Sequence, residues 1–270
     1  MNLWQAVVLG IVQGLTEFLP ISSSGHLAIA EGLLGLPPGD LTYEVILHLA
    51  TLIAVCLVFR RRLWKMVRAV FRARIRIHKG RLRIDDENLR LFLLILLATI
   101  PAAVIGYLLE DIVEQVFASI QAAALGLLVT GAVLFGTKFP KPQDRPLNWR
   151  RATAIGLAQA VAILPGISRS GATIGVGIYS GLRKDRAAEF SFLLSIPVIL
   201  GAGLLKLKNL PPSGRSDILL PLAAGGLAAL ICGLLAIKWL LALIKKRRLD
   251  YFAYYCWLLG IGVLIWSWMR

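Results

Sequence analysis

A polar segment near the start of the chain combines residue types that can perform nucleophilic and acid–base chemistry. It contains the carboxylate of Glu17, three consecutive hydroxyl groups after Pro20, and the imidazole of His26. Because His26 lies three residues after Ser23, both side chains are expected on one face of the following helix. A neutral imidazole there can activate a hydroxyl group, attack phosphorus itself or protonate a leaving oxygen. The hydroxyl groups belong to Ser22, Ser23 and Ser24, and at least one of them is expected only to cap a helix.

A glutamine lies one helical turn before Glu17. Gln13 and Glu17 are four positions apart, so their side chains are expected on one helix face near the Pro break. We interpret Glu17 as a metal ligand or a proton acceptor; the competing interpretation is a structural partner of a helix N-terminus. For His26 the competing interpretation is a hydrogen-bonded interior histidine. A polar stripe on the third apolar segment is expected to be structural or supporting rather than catalytic, and it consists of Glu44, His48 and Thr51.

A second polar segment, 159–173, resembles the first. After Pro165, Ser168 can cap a new helix, as Ser22 or Ser23 can in the first segment. The first turn of each helix leaves backbone N–H groups unpaired at the positive end of its dipole. Two such ends that approach from opposite sides of a membrane would form an anion site.

The second segment also carries an arginine between two serines. The guanidinium of Arg169 is a planar fork suited to phosphate oxygens, and Ser170 and Thr173 can donate further hydrogen bonds. Burying Arg169 in an apolar environment requires a partner, which a bound phosphate or Glu17 can provide. The competing interpretation is an interfacial side chain that reaches the headgroups.

The composition places both polar segments in a membrane protein. Of the 270 residues, 57% are hydrophobic, which exceeds the usual share in a soluble domain. About 20 mainly apolar residues cross the roughly 30 Å hydrocarbon core, so several segments qualify as transmembrane helices. No soluble-looking stretch is long enough to bury its own core. Residues 1–270 are therefore expected to form a single membrane domain.

The strong positive charge is explained by membrane topology rather than by nucleic acid. The net charge is +15, and Lys and Arg crowd the connections between apolar segments, as topology control requires. No aromatic-basic module accompanies the charge, so no nucleic-acid partner is expected. The three cysteines lie within apolar segments without metal-ligand spacing and are expected in the core.

Ten apolar segments alternate with polar connections. Two of them, 22–36 and 168–182, are too short for a comfortable span, and each follows a Pro-containing break. Irregular backbone at membrane depth is tolerated where it lines a cavity or is buried in protein, so each is expected to pair with the preceding segment as a re-entrant unit. The predicted fold is an all-α polytopic membrane protein of ten helices, with six transmembrane spans and two re-entrant helix pairs. The segments fall at about 3–19, 22–36, 42–59, 89–109, 116–136, 150–164, 168–182, 187–207, 218–244 and 251–269.

The distribution of basic residues and an internal repeat predict an inverted topology. The connection 60–90 contains many Lys and Arg residues and is expected in the cytoplasm. Alternation then brings the first helix pair in from outside and the second from inside. Gln159 follows Gln13 by 146 positions (159 − 13), and Ser168 follows Ser22 by the same interval (168 − 22). We therefore expect inverted repeats of roughly 1–136 and 150–270, with a ligand site at their interface.

These motifs resemble those of the undecaprenyl-diphosphate phosphatase family, also called the bacitracin-resistance protein. That family combines a Glu/Gln-x-x-x-Glu element, a Ser-Ser-x-Gly-His run and a later Pro-Gly-x-Ser-Arg-Ser-x-x-Thr. Gln13 stands where many members have Glu, and a neutral amide is a weaker metal ligand that cannot act as a base. The corresponding stretches here are Gln13-Gly-Leu-Thr-Glu17, Ser22-Ser23-Ser24-Gly25-His26 and Pro165-Gly166-Ile167-Ser168-Arg169-Ser170-Gly171-Ala172-Thr173.

The resemblance implies hydrolysis of a C55 polyprenyl diphosphate, a lipid of the bilayer, to the monophosphate. The reaction would use a divalent cation (Mg²⁺ or Ca²⁺) at the outer side of the bacterial cytoplasmic (inner) membrane. Glu17 and Gln13 would serve the metal or water, while Ser23 and His26 would share the nucleophile and base roles, with the attacking group left open. Arg169 would hold phosphate, together with Ser22, Ser24, Ser168, Ser170 and Thr173. A homo-oligomer is compatible with the sequence, which does not define the oligomeric state.

A polyprenyl-phosphate flippase or a small-anion transporter is the alternative, because inverted repeats with broken helices are also a transporter device. Such a protein would need Arg169 and the helix ends but has no obvious use for both Ser23 and His26. A purely structural scaffold would leave the polar residues unexplained.

Overall fold

The described part of the chain forms α-helices and one β-hairpin. The computed structural model describes residues 1–36, 41–72, 75–78, 81–109, 119–140, 144–208, 219–245 and 249–269. The helices of these ranges are α1 (Leu3–Phe18), α2 (Ser23–Leu33), α3 (Leu41–Val58), α4 (Arg60–Phe71), α5 (Glu87–Leu108), α6 (Ile120–Gly136), α7 (Trp149–Val161), α8 (Arg169–Tyr179), α9 (Lys184–Lys208), α10 (Leu219–Lys245) and α11 (Tyr251–Trp268). The antiparallel strands β1 (Ile75–His78) and β2 (Arg81–Ile84) form the hairpin between α4 and α5.

The prediction of a helical protein is confirmed, but the described residues hold eleven helices rather than ten. Each of the ten apolar segments contains a helix. The additional helix, α4, lies in the basic connection 60–90, for which no helix was predicted. Its Met66 and Ala69 side chains are buried against the protein, while most of its Arg and Lys side chains face outward. Because α4 is rich in Arg and Lys, it does not form an apolar segment, and apolar character alone therefore does not predict it.

Several helices are suited to crossing a membrane. By length and composition, α5, α9, α10 and α11 qualify, and α3 with α4 gives a fifth span if this bent pair is counted as one. The two helices of the pair meet at 81°. Helices α1 and α6 are apolar but shorter, at 16 and 17 residues. The chain is therefore a multi-pass membrane protein.

Helices α1 and α7 pack closely against helices from the other half of the chain. Helix α1 lies along α10, and α7 lies along α5. A Cβ atom on Gly10 would come within 2.2 Å of the Gly225 carbonyl oxygen, and one on Gly156 within 2.4 Å of the Ala98 carbonyl oxygen. Both contacts therefore need a residue without a side chain, as in small-residue helix interfaces within membranes.

The main apolar core fixes the end of α1. The ring of Phe18, the last residue of α1, is buried and packs edge-to-face on Phe192 of α9, with centroids 5.7 Å apart at 84°. Helix α9 also packs against α3, α5 and α8. The same core thus holds the C-terminal end of α1 close to α8, and Glu17 and Arg169 lie at these two ends.

Candidate active site

A short irregular segment joins α1 to α2. Leu19 is extended (φ −69°, ψ 144°), because Pro20 disfavours helical backbone in the residue before it. Ser22 has φ 67° and ψ 98°, a left-handed conformation that is uncommon for residues other than Gly. The first turn of α2 lies against the last turn of α1, which carries Glu17.

The Glu17 carboxylate is the centre of the site. Glu17 is only 8% exposed. Its Oε2 accepts hydrogen bonds from Ser23 Oγ at 2.7 Å and from Gln13 Nε2 at 3.0 Å. Its Oε1 forms an ion pair with Arg169 Nη2 at 2.5 Å. The predicted common face of Gln13 and Glu17 is confirmed, and Glu17 is the partner that buried Arg169 requires.

Arg169 reaches Glu17 from the first turn of α8. Ser168 caps that helix as predicted, because its Oγ accepts from the Gly171 N–H at 3.1 Å. The Arg169 side chain is 15% exposed. Its Nη1 is buried and has no hydrogen-bond partner in the described part of the chain. One edge of the guanidinium therefore retains an unused donor that can bind an anionic oxygen.

A histidine of α3 adjoins the same carboxylate. His48 Nε2 lies 3.7 Å from Glu17 Oε2, and its Nδ1 lies 2.8 Å from the Glu44 carbonyl oxygen. A carbonyl oxygen only accepts, so Nδ1 carries the proton and donates it there. In the neutral ring, Nε2 is then unprotonated and directed at the site. His48 was expected to have a supporting role, and it lies beside the central carboxylate.

His26 faces away from this cluster, toward α11. Its Nδ1 lies 2.8 Å from the Ser22 carbonyl oxygen, and its Nε2 lies 2.7 Å from the hydroxyl of Tyr255. Ser23 donates instead to Glu17, although it shares the first turn of α2 with His26. The predicted neighbours Ser23 and His26 thus have different hydrogen-bond partners.

The hydroxyl groups predicted to bind phosphate mostly form hydrogen bonds with other residues of the two polar segments. Ser170 Oγ donates to the Leu19 carbonyl oxygen at 3.0 Å and lies 3.1 Å from Ser168 Oγ. Thr173 Oγ1 donates to the Arg169 carbonyl oxygen at 2.7 Å. In the first loop, Ser22 Oγ lies 3.2 Å from Ser24 Oγ, and Ser22, although the N-cap of α2, makes no side-chain capping bond. The contact of Ser170 with Leu19 joins the two polar segments, and phosphate binding by the five hydroxyl groups stays a prediction.

Three residues that contact the site were not singled out by the sequence motifs. Thr130 of α6 donates to the Gly166 carbonyl oxygen at 3.1 Å and accepts from the Ser168 N–H at 2.9 Å, which holds the second loop. Ser191 Oγ lies 2.6 Å from Thr173 Oγ1. Tyr255 contacts His26 as described above. Thr130 is a polar residue in an apolar helix and gave a weak signal, whereas nothing in the sequence distinguishes Tyr255 from its aromatic neighbours.

The donors around Glu17 fit a weakly held divalent cation. No group of three or more His, Cys, Asp or Glu side chains with metal-ligand geometry occurs in the ranges that the structure describes. Gln13 Oε1 is nevertheless buried without a hydrogen-bond partner among the described residues, and the Nε2 of the same amide donates to the Glu17 carboxylate. One carboxylate and one amide oxygen suit a hard cation such as Mg²⁺. This ion commonly keeps several waters, and substrate phosphates complete its coordination shell.

Comparison with known proteins identifies the family of this site. The family model described as "Bacitracin resistance protein BacA" matches residues 6–262. A protein of Methanobrevibacter smithii named "Undecaprenyl-diphosphatase" is 45% identical, over 99% of this chain and 98% of its own length. Proteins of the same name from Korarchaeum cryptofilum and Desulfatibacillum aliphaticivorans are 43% and 40% identical, each over 98% of this chain and 99% of its own length.

The residues that form the site belong to the part of the chain that the family model matches. The two motif segments meet in space through Glu17 and Arg169, and both lie within the matched region. With a family model that covers nearly the whole sequence and relatives more than 40% identical along their full length, the chain belongs to the BacA bacitracin resistance protein family.

Proposed function

We propose that this protein hydrolyses undecaprenyl diphosphate to undecaprenyl phosphate and inorganic phosphate. This reaction recycles the lipid carrier of cell-wall synthesis, and the family name links it to bacitracin resistance. The observation that carries the proposal is the hydrogen bond of 2.7 Å from Ser23 Oγ to Glu17, whose other oxygen pairs with Arg169. A hydroxyl bonded to a carboxylate beside a guanidinium is suited to phosphoryl transfer.

In the first step, Ser23 Oγ attacks the terminal phosphorus of the diphosphate. The bond from Oγ to phosphorus forms, the bridging P–O bond breaks, and undecaprenyl phosphate leaves. The hydroxyl proton passes to Glu17 Oε2, which already accepts it in a hydrogen bond. In the second step, water attacks the phosphoserine, the bond from Oγ to phosphorus breaks, and the proton on Glu17 returns to Ser23. The sum is one water consumed and one inorganic phosphate released.

His26 is the second acid–base group in this scheme. Its Nδ1 is committed to the Ser22 carbonyl oxygen, so Nε2 is the nitrogen that can accept a proton. We assign His26 the attacking water of the second step, because Ser23 already has Glu17 as its hydrogen-bond partner, whereas His26 contacts Ser22 and Tyr255. The proton that Nε2 accepts from water is then released with inorganic phosphate.

Arg169 and the helix ends bind the diphosphate in our proposal. Arg169 Nη1 is buried without a partner among the residues that the structure describes, so a phosphate oxygen would satisfy a donor whose burial without a hydrogen bond is costly. The first turn of α2 has no side-chain cap, and its N–H groups can bind a second oxygen. A divalent cation, Mg²⁺ or Ca²⁺, held by Glu17 and Gln13 would neutralise charge on the diphosphate oxygens.

We further propose that the two halves are inverted repeats and that the site opens to the outer side of the cytoplasmic membrane. Gly10 and Gly156, which are 146 positions apart, occupy matching close contacts of α1 with α10 and of α7 with α5. In such an arrangement, broken helices from both halves meet near the membrane midplane. The cluster of Lys and Arg residues in 60–90 supports a cytoplasmic position for that connection.

The test is phosphate release from purified undecaprenyl diphosphate with added Mg²⁺ or Ca²⁺. Wild-type protein should release phosphate, and Glu17→Ala, Ser23→Ala, His26→Ala and Arg169→Ala should each lose most of this activity while remaining folded. Full activity of both Ser23→Ala and His26→Ala would contradict the assigned chemistry. Absence of phosphate release by folded wild-type protein would contradict the enzyme proposal and favour lipid or anion transport.

A further inference from the structure

We propose that Tyr255 is a positioning residue of the active site, which holds the His26 imidazole in the tautomer and orientation needed for proton transfer. The inference rests on the proposed role of His26. It adds to the site a residue from the last helix, 229 positions away in the sequence. Tyr255 lies outside both motif segments, and the proposed chemical steps do not use it.

The contact between the two rings is specific in geometry. The Tyr255 hydroxyl lies 2.7 Å from His26 Nε2, within the distance range of a good hydrogen bond. The two rings are nearly parallel, at 9°, with centroids 5.6 Å apart. A hydrogen bond and ring contact together restrict the rotation of the imidazole more than either one alone.

The other ring nitrogen determines the direction of this hydrogen bond. The Ser22 carbonyl oxygen can only accept, so His26 Nδ1 carries a proton and donates it to that oxygen. In the neutral ring, Nε2 then has a lone pair and no proton. In the site without substrate, the Tyr255 hydroxyl donates to this lone pair, and both partners favour the same tautomer. The attacking water takes the place of the hydroxyl at Nε2 when the proton is transferred. The backbone of Ser22 at φ 67° helps to set this geometry, because its carbonyl oxygen is the fixed acceptor.

The surroundings of Tyr255 indicate a link between two helices rather than general packing. Helix α2 packs mainly on α1 and α6, and α11 packs mainly on α6. The side chains of Tyr255 and His26 therefore bridge two helices with little other contact. The adjacent Cys256 Sγ lies 3.6 Å from the Pro20 carbonyl oxygen. Two successive residues of α11 thus contact the loop that carries the first motif.

Tyr254 provides a matched control on the same helix. Its hydroxyl accepts a hydrogen bond from Lys138 Nζ at 3.1 Å, away from the site. The variants Tyr255→Phe and Tyr254→Phe each remove one hydroxyl group and keep the ring. We expect Tyr255→Phe to lower kcat by roughly 3- to 10-fold, as for the loss of one hydrogen bond of ordinary net strength. We expect little change in KM, and Tyr254→Phe should keep kcat close to wild type.

A double-mutant cycle tests whether Tyr255 acts through His26. In a His26→Ala background, Tyr255→Phe should cause no further loss of kcat, because the partner is already missing. A loss of the same size in both backgrounds would overturn the proposal, since it would show that Tyr255 acts by another route. An unchanged kcat in Tyr255→Phe alone would overturn it as well.

A spectroscopic readout tests the contact without relying on activity. The chain has three histidines, so ¹⁵N-histidine labelling gives few imidazole signals, and His26→Ala identifies those of His26. In Tyr255→Phe the ¹⁵N chemical shift of His26 Nε2 should move toward that of an imidazole nitrogen that accepts no hydrogen bond. Tyr254→Phe should leave this chemical shift unchanged. An unmoved signal in Tyr255→Phe would overturn the inference even if wild type releases phosphate. If wild-type protein releases no phosphate, the proposed function is wrong. The positioning role of Tyr255 is then wrong as well, even if the His26 signal moves, because that role rests on the proposed function.

Discussion

Glu17 and Arg169 form an ion pair at 2.5 Å, although 152 positions separate them in the sequence. Glu17 lies at the end of α1 and Arg169 at the start of α8, so the pair joins the two polar segments. If the halves are repeats at an interval of 146, Arg169 occupies the position that corresponds to Ser23 (169 − 23), and Ala172 corresponds to His26 (172 − 26). The second segment would then supply the guanidinium group of Arg169 but neither the nucleophile nor the imidazole, so neither half could form the site alone.

Removing one member of this pair should destabilise the protein. Both side chains are largely buried, at 6% exposure for Glu17 and 15% for Arg169. Arg169→Met or Glu17→Gln alone should lower the unfolding free energy by roughly 3 kcal/mol, because a buried charge is left without its partner. The double variant Glu17→Gln/Arg169→Met should be more stable than the sum of the single losses implies. Thermal unfolding in detergent measures the three variants. Strictly additive losses would contradict a coupled pair.

The hydroxyl of Ser23 should matter far more than that of its neighbour Ser24. Ser23 Oγ donates to the reacting carboxylate in our scheme, whereas Ser24 Oγ contacts only Ser22 Oγ among the described hydrogen bonds. Ser23→Ala should lower kcat by on the order of 10⁴-fold, as in enzymes that lose their nucleophile. Ser24→Ala should cost about tenfold or less. Phosphate release under single-turnover conditions measures both. Equal losses would mean that Ser23 is not the attacking group.

The close helix contacts at Gly10 and Gly156 should not tolerate a methyl group. In each case the new Cβ would approach a backbone carbonyl oxygen within 2.4 Å, and backbone cannot move aside as a flexible side chain does. Gly10→Ala and Gly156→Ala should each cost roughly 1–3 kcal/mol of unfolding free energy. Gly262→Ala on α11 is the matched control, because its Cβ would meet no atom within 4 Å. The melting temperature of the purified protein distinguishes them, and equal values for all three would contradict the packing described.

The positions of the helices were largely predictable from the sequence, because apolar runs long enough to enter a membrane are unambiguous. The Gln13–Glu17 pair was also predictable, because side chains four positions apart lie on the same face of an α-helix. The partner of Arg169 could be reduced to two candidates, since a buried guanidinium needs an anion. The structure adds Glu17 as that partner.

Contacts between distant elements could not be derived in this way. Tyr255 meets His26 only because α11 packs beside the first loop, and an aromatic residue in an apolar helix is equally suited to lipid. Thr130 holds the second loop through a side chain whose partners are backbone atoms, which leave no pattern in the sequence. Helix α4 was missed for another reason, because its basic residues concealed the buried Met66 and Ala69.

The cation requirement should depend on the residue at position 13. Gln13 Nε2 donates to Glu17, while Gln13 Oε1 is buried and has no hydrogen-bond partner in the described ranges. Gln13→Glu would place a second carboxylate beside the first, and the added charge would favour a divalent cation. The Mg²⁺ concentration for half-maximal phosphate release should fall by on the order of tenfold, because cation affinity follows the charge of the ligand set.

The same substitution in the second half of the chain is the control for position 13. Gln159 is 2% exposed, and neither its Nε2 nor its Oε1 has a hydrogen-bond partner among the described residues. Gln159→Glu would bury a carboxylate on α7, outside the Gln13–Glu17 hydrogen bond, so it should lower the melting temperature but leave the Mg²⁺ requirement of the folded protein unchanged. If Gln13→Glu also leaves the requirement unchanged, position 13 is not a cation ligand. If both variants lower it equally, the effect is a general one of added negative charge, and the proposed cation site beside Glu17 is wrong.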